Sequence, residues 1–385
     1  MGEVTRDALV EKMSENIERD RIEGSYSASQ KRKILFLLGA LVLMIVSFTI
    51  SLAYGSVRIP FGNVLQSLGH ALMPSLISEP NPAWHQTIVM NANLPRTMLC
   101  LLTGICLATA GTVMQGLLRN PLVSPFTLGV STAASFGAAM TIAFGSSVLG
   151  TAFYKTSRFM GVSITTGDML IVVFAFLCGM ASILLVLAIA KKDSSRSTLV
   201  LSGVVISYLF QAGISSAKYL SDDEALREIS NWLMGGMWNA TWGAVIIILP
   251  VCIVCVLFME YLALKINSLS AGDDIARNVG VDVHALRKQG LVTSTLMTSV
   301  CVAFTGVIGF IGLMAPHMCR MAIGNDTRFI IPAASMIGAT ILMVSDTFAR
   351  NVIRPDQLPV GIILYIIGGI FFIWMVSRKR WGGRL

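Results

Sequence analysis

The feature that most constrains this chain is a series of long apolar segments that contain no charged residue. Most of them approach the roughly 20 residues that a helix needs to cross a bilayer. They are Ile34–Leu52, Thr97–Leu118, Phe126–Gly150, Met169–Ala190, Leu199–Ala217, Ala240–Met259, Gln289–Cys319, Phe329–Ser345 and Gln357–Ser377. Only 13% of the residues are charged, whereas about 25% are charged in a soluble domain. Because backbone groups in lipid must be satisfied within a segment, and a barrel would need short alternating segments, the pattern predicts an all-α integral membrane protein.

The polar ends of the chain flank this apolar region. Residues 1–33 contain seven acidic and seven basic residues and end in Lys31-Arg32-Lys33. This stretch is too long and too mixed in charge for a secretory signal, and no small-residue cleavage site follows the first apolar run. We therefore predict a cytoplasmic tail at 1–33, a transmembrane domain at 34–378 and a second cytoplasmic tail at 379–385.

The topology depends on the run Gln289–Cys319, which is long for one helix and short for two. Its second half contains Gly306, Gly309, Gly312 and Pro316. Two spans here give ten in total and place 21 Lys and Arg inside and 8 outside, whereas one span gives 17 and 12. The positive-inside rule favours the first arrangement. We therefore predict about ten transmembrane helices, cytoplasmic termini and a broken segment of two short half-helices, as transporters use near their pathway.

A second interruption lies between the second and third spans, at Arg119–Pro125. The string Gly116–Pro121 weakly resembles Gly312–Pro316 in the other half of the chain. One interrupted segment in each half suggests an inverted repeat.

The sequence lacks the motifs of several enzyme classes. It contains no G-x-x-x-x-G-K-[ST] phosphate loop and no H-E-x-x-H string, so it does not bind ATP or zinc through these motifs. Cys252 and Cys255 lie in a uniformly apolar run without a basic neighbour that would activate a thiol, which favours helix packing over redox chemistry. We predict no catalytic residue, metal site or cofactor in this chain.

Charge also restricts the possible functions. The net charge of +8 comes largely from basic residues beside apolar runs, which indicates membrane topology rather than nucleic-acid binding. Proton-coupled carriers usually keep acidic residues in the membrane, but here the nearest case, Asp346, precedes Arg350 by one helical turn and predicts an ion pair. An ion-coupled secondary transporter and a membrane anchor or signalling module remain the alternatives to the interpretation below.

Several strings, spread in order over roughly residues 40–380, resemble the FecCD-like permease family of ATP-binding-cassette (ABC) importers for iron-siderophores, haem and vitamin B12. They are Leu94–Thr97, Gly111–Leu122, Leu128–Ser131, Asn231–Gly236, Gly309–His317, Asp346–Arg350 and Leu358–Gly361. The resemblance implies ten helices per subunit and two permease subunits, identical or different, around one central pathway. It also implies two separate ATPase subunits that bind ATP and Mg, an extracytoplasmic binding protein and a place in the cell membrane.

The cytoplasmic loop 265–288 contains the string Ser270–Gly280, with an acidic start, small residues and a terminal glycine. This composition predicts a short capped helix that ends in a left-handed turn. The resemblance implies that the helix couples the permease to the ATPase through Gly272, Asp274, Ala276 and Gly280. A solvated connector is the alternative.

The string Asn120-Pro121-Leu122 predicts an Asn-Pro turn at the cytoplasmic mouth. The resemblance implies that Asn120, Leu122 and Ser197 form the cytoplasmic gate. Arg196 stands where the family usually has a small polar residue, so this gate departs from the family pattern.

On the outside, Arg96 and Arg350 match family positions that meet acidic residues of the binding protein. Interfacial anchoring is the alternative, and Asn93 replaces a further family arginine. The implied activity is import by alternating access. An iron-siderophore is the favoured cargo, and haem, cobalamin and an oxyanion remain open.

Overall fold

The computed structural model describes residues 29–55, 57–159, 162–191 and 196–379. This part of the chain is helical except for one antiparallel hairpin, in which Thr156 pairs with Thr165. The helices are α1 (Ser29–Ala53), α2 (Phe61–Leu72), α3 (Trp84–Leu118), α4 (Val130–Leu149), α5 (Thr166–Ile189), α6 (Arg196–Leu220), α7 (Asp223–Met234), α8 (Trp242–Ala271), α9 (Asp273–Asn278), α10 (Val283–Thr305), α11 (Ile311–Ile323), α12 (Thr327–Val352) and α13 (Val360–Lys379). Turns of 3₁₀-helix occupy Pro125–Leu128 and Gly150–Tyr154, and the hairpin strands are β1 (Thr156–Phe159) and β2 (Val162–Thr165). The predicted all-α membrane class is confirmed.

Seven helices in the described ranges are long and apolar enough to cross a membrane, namely α1, α3, α4 with its 3₁₀ extension, α5, α6, α8 and α12. Helices α10, α11 and α13 coincide with the three remaining predicted spans, and a crossing by each of the ten stays a prediction. The chain breaks between Thr305 and Ile311, where the glycines predict it. Only α11 is short, however: its 13 residues span about 20 Å at 1.5 Å per residue, whereas α10 begins in the preceding loop and has full length.

Helix α3 is the centre of the structure and packs against α8, α10, α11 and α12. It begins at Trp84, earlier than the predicted start at Thr97, and passes through a π-helical turn at Val89–Asn93. Small residues bring its neighbours close: a Cβ on Gly104 would lie 2.5 Å from Ala339 Cα in α12. A Cβ on Gly111 would overlap the carbonyl of Gly312 in the short helix α11. Close approach through small residues is the usual way in which membrane helices associate.

Long-range contacts divide the connecting segments between two ends of the bundle. At one end, Arg32 donates to the Ala322 carbonyl at 2.7 Å, and Asn267 donates to Asp326 at 2.8 Å. We call this the basic end, and it comprises residues 29–33, 119–129, 190–191, 272–282 and 324–326. The opposite end comprises residues 54–83, 150–165, 221–241, 306–310 and 353–359, of which the structure describes all but 56, 160 and 161.

Candidate functional site

The short helix α9 projects from the basic end between α8 and α10. It covers Asp273–Asn278 and is flanked by Gly272 and by Gly280, whose φ of +82° is left-handed. The Val281 amide donates to the Ala276 carbonyl at 2.9 Å and closes the turn. A short helix with an acidic start and a left-handed glycine end is therefore confirmed. Among the described residues, apart from the chain neighbours of Gly280, no atom lies within 4 Å of a Cβ built on this glycine.

The two faces of α9 differ in burial. Ala276 is fully buried against the bundle, whereas Ile275 and Val279 are 52% and 64% exposed. Asp274 and Arg277 form an exposed ion pair at 3.6 Å. The helix therefore presents two apolar side chains and a charged pair away from its own bundle.

The loop that contains Asn120 and Leu122 follows the end of α3. Arg119 is left-handed, with φ +48°, and the Asn120 amide donates to the Gln115 carbonyl at 3.2 Å. The Asn120 side chain accepts a hydrogen bond from the Leu122 amide at 2.9 Å, which forms the predicted turn. The Leu122 side chain is 57% exposed.

Helix α6 packs on the same loop. Ser197 lies exposed in the first turn of α6, whereas the continuation of the loop contacts α6 further along. There a Cβ on Gly203 would lie 2.7 Å from Leu128 Cα. The structure thus places Asn120, Leu122 and Ser197 at the basic end, and their role as a gate stays a prediction.

Two polar contacts at this end were missed by the sequence analysis. Gln115, 2% exposed in α3, donates to the Gly312 carbonyl at 3.2 Å and accepts a hydrogen bond from Arg320 of α11. Gln115 and Gly312 lie in two of the strings that carry the family resemblance, and Arg320 lies three residues after the second string. The strings alone do not show that these residues are in contact. Gln115 and Arg320 tie the interrupted helix α11 to the last turns of α3.

Asp326 forms the second contact that was missed. It caps α12 and accepts hydrogen bonds from Arg328 at 2.8 Å and from Asn267 of α8 at 2.8 Å, and it pairs with Lys33 of α1 at 3.5 Å. The pKa of Asp326 is lowered to about 2, and the hydrogen bond from Arg328 is the largest cause. The ionised carboxylate therefore fastens the starts of α1 and α12 to the end of α8.

At the opposite end, Asp346 lies between two arginines. It is fully buried and accepts hydrogen bonds from Arg96 of α3 at 2.9 Å and 3.2 Å. Arg350 Nε lies 3.0 Å from Asp346 Oδ2, as an electrostatic contact without hydrogen-bond geometry. Arg350 donates its hydrogen bonds from Nη2 to Ser51 Oγ at 2.9 Å and to the Ser51 carbonyl at 3.3 Å. We call Arg96, Asp346 and Arg350 the arginine–aspartate cluster; it joins α1, α3 and α12.

This geometry confirms the predicted ion pair between Asp346 and Arg350. It also shows that neither arginine is freely presented to a partner. Arg350 is 2% exposed, and 14% of the Arg96 side chain is exposed while its Nη1 donates to Gln357 at 2.7 Å. Their role in docking a binding protein stays a prediction, and the structure adds a role inside the chain.

Cys252 and Cys255 are free and buried. Both lie on α8 within the main apolar core of the bundle, which is the packing role that the apolar context predicts. Their spacing is that of successive turns on one helix face.

A bundle of long apolar helices around a buried central helix, with a broken helix against it and a small helix projecting from one end, defines the class of membrane transport permeases. A model of the FecCD transport family matches residues 43–378. The hemin transport system permease protein HmuU of Yersinia pestis is 34% identical over 331 residues, which cover 82% of this chain and 93% of that protein.

Two further comparisons agree. The vitamin B12 import system permease protein BtuC of Klebsiella pneumoniae is 32% identical over 358 residues, which cover 92% of this chain and 97% of that protein. A solved structure of a metal-chelate type ABC transporter in an inward-facing conformation matches with a TM-score of 0.73 and 28% identity, covering 89% of this chain and 98% of that chain.

The chain belongs to the FecCD transport family. It is an ABC transporter permease subunit, a multi-pass membrane protein that is not itself catalytic and works with a separate ATPase. The family resemblance of the sequence motifs is thereby confirmed.

Proposed function

We propose that this permease imports a metal chelate, by alternating access between the two ends of the bundle. Two ATPase subunits bind α9 of two permease subunits at the cytoplasmic, basic end. An extracytoplasmic binding protein delivers the cargo to the opposite end.

The single observation that carries this proposal is the exposed face of α9. Ile275 and Val279 are exposed beside the charged pair of Asp274 and Arg277, and exposed apolar side chains rimmed by polar residues are typical of a protein interface. Gly272, Asp274, Ala276 and Gly280 shape this face: Ala276 seats the helix on the bundle, and Gly280 ends it without a side chain. An ATPase groove that receives Ile275 and Val279 would turn subunit closure into movement of α8 and α10.

The cargo is proposed from the family and its relatives. The relatives described above are permeases for hemin and for vitamin B12, and the similar solved structure is of the metal-chelate type. All of these cargoes are bulky, metal-containing compounds. We propose an iron-siderophore as the cargo of this chain, with haem, cobalamin and an oxyanion as the competitors in the test.

The test is uptake by the complex of permease, ATPase and binding protein in liposomes, with labelled ferric siderophores, haem, cobalamin and molybdate as the panel. We expect ATP-dependent uptake of a ferric siderophore, and its loss when the binding protein is omitted. If the complex takes up haem, cobalamin or molybdate but no ferric siderophore, the proposed cargo is wrong and the compound taken up is the cargo. Uptake driven by an ion gradient without ATP would contradict the importer mechanism.

The orientation of the bundle gives a further prediction. The basic end contains Arg32, Lys33 and Arg119, and basic residues concentrate on the cytoplasmic side of membrane proteins. We therefore expect reporter fusions at residues 20 and 385 to report the cytoplasm. A C-terminal fusion that reports the outside would contradict the ten-helix topology.

A further inference from the structure

We propose that Arg287 is a positioning residue that links the coupling helix α9 directly to the cytoplasmic gate loop. This inference rests on the proposed function of α9 and on the predicted gate role of the loop that contains Asn120 and Leu122, which we call the gate loop. It assigns to Arg287 a role that the motif strings do not contain.

Arg287 lies in the second turn of α10 and is 8% exposed. Its Nη2 donates to Asp273 Oδ2 at 2.7 Å, and its Nε lies 3.4 Å from the Leu117 carbonyl, to which it donates. Asp273 is the first residue of α9, and Leu117 lies in the last turn of α3. One guanidinium therefore contacts α9 and α3 at once.

The contact on α3 is immediately before the gate loop. Leu117 is fully buried, and the chain turns at Arg119, two residues later, to form the loop that contains Asn120 and Leu122. Helix α10 approaches this turn closely, since a Cβ on Gly290 would lie 2.4 Å from a methyl group of Leu117 unless that side chain moved. A displacement of Arg287 therefore acts on the turn that orients the gate loop.

The contact on α9 is equally direct. The Val281 amide bonds to the Ala276 carbonyl, and Asp282 caps α10 by accepting from the Ala285 amide at 2.9 Å. These bonds make α9, its turn and the start of α10 one continuous hydrogen-bonded unit. Movement of α9 on an ATPase would carry Asp273 and Arg287 together, and the Leu117 carbonyl with them.

The two contacts of Arg287 require two N–H donors that point to different acceptors, Asp273 Oδ2 and the Leu117 carbonyl. A guanidinium holds several N–H groups in a fixed plane and reaches two acceptors at once, whereas a lysine ammonium is a single point on a flexible stem. The pair is also only 9% and 24% exposed, so solvent screens it less than an ion pair on the surface. Arg287→Lys is therefore expected to retain the contact with Asp273 and to lose the one with Leu117.

The test uses the full complex in nanodiscs and in liposomes. Leu122→Cys reports the gate through its rate of maleimide labelling with and without ATP, and uptake per ATP hydrolysed reports coupling. In Arg287→Met we expect the effect of ATP on labelling to vanish and uptake per ATP to fall at least tenfold. In Arg287→Lys we expect an intermediate loss.

Arg328→Met is the control, because it breaks another Arg–Asp pair at the same end, at 2.8 Å, whose aspartate accepts from Asn267 of α8 and pairs with Lys33 of α1. We expect it to retain both readouts. Should Arg287→Met fail to assemble, Asp273→Asn tests the same link at a less buried position, with a partial loss expected because asparagine keeps an acceptor oxygen but removes the charge.

Two outcomes separate the inference from the proposed function. If Gly280→Trp on α9 uncouples the complex while Arg287→Met and Asp273→Asn retain the labelling response and the coupling ratio, Arg287 is only a structural contact and the inference is overturned. If Gly280→Trp leaves the coupling ratio unchanged, α9 is not the ATPase contact, and the proposed function is contradicted whatever the result for Arg287.

Discussion

Replacing Asp346 with asparagine is expected to produce the largest loss of stability of any single substitution at the opposite end of the bundle. The change leaves Arg96 and Arg350 near each other without the carboxylate that both of them contact. Removing one partner of a buried ion pair costs about 3–5 kcal/mol, because the other charge stays buried and uncompensated. Thermal unfolding of the detergent-solubilised protein should shift down by about 5–10 °C.

The control and the compensating variant sharpen this test. Arg354→Gln changes an exposed arginine at the same end, and surface substitutions usually stay within about 0.5 kcal/mol. Replacing the whole cluster (Arg96→Met, Asp346→Leu and Arg350→Met) should recover much of the loss, since apolar residues of similar volume often substitute for buried ion networks. A melting temperature of Asp346→Asn equal to that of Arg354→Gln would show that the cluster does not stabilise the junction of α1, α3 and α12.

The cluster also bears on the proposal that a binding protein docks at this end. A buried group with two positive charges and one negative charge still contributes a positive potential at the surface above it, and such potentials mainly set the rate of encounter. Arg96 and Arg350 can therefore act on a docking partner without leaving Asp346. Binding-protein association and thermal stability should be measured in the same variants, because substitution of either arginine changes both the potential and the cluster.

The sequence predicts the membrane helices well because a single strong physical requirement governs them. A run such as Met169–Ala190 must form a helix in lipid, and it coincides closely with α5. The break at Gly306 is equally visible, because glycine and proline are the residues that interrupt a span. Helix α11 ends at Ile323, next to Gly324, whose φ is +81°, and before the charged Asp326.

Elements outside the apolar runs were missed for the opposite reason. Helix α7 starts at an N-cap, with the Asp222 side chain accepting from the Ala225 amide at 2.8 Å, but charged and apolar residues alternate along it and it has no span-like run. The amphipathic helix α2 and the hairpin that begins at Thr156 are similar cases. Their structure depends on packing against the ends of the spanning helices, which a one-dimensional pattern does not contain.

The candidate site shows the same division. The turn at Gly280 and the side-chain bond of Asn120 are local, and residue type predicts them. The partners of Arg96 and Arg287 are not local: Asp346 is 250 positions from Arg96, and Leu117 is 170 positions from Arg287. Such contacts follow only from the packing of α3 against α10 and α12, so family motifs identify the residues but do not show what they touch.

Bulk at Gly280 is expected to abolish coupled uptake without unfolding the permease. A Cβ built at this position meets no described atom within 4 Å, so we expect the bulk of Gly280→Trp to collide with a partner seated on α9 rather than with the fold. Asp274→Lys should act in the same way, since Asp274 is 94% exposed and its ion pair with Arg277 lies at the surface. Exposed pairs of this kind contribute little to stability, so a loss of uptake would indicate the partner surface rather than the fold.

Gly324→Trp is the matched control for the backbone strain that a tryptophan causes at a left-handed glycine position. Its φ of +81° nearly equals the +82° of Gly280, it has the same open surroundings, and it lies at the same end of the bundle but outside α9. We expect ATP-driven uptake to fall more than tenfold in Gly280→Trp and to persist in Gly324→Trp. Gly280→Asn should also remain active, because asparagine tolerates the left-handed conformation and is small. Equal uptake by the two tryptophan variants would mean that α9 is a connector, and the ATPase contact would then have to lie elsewhere on the basic end.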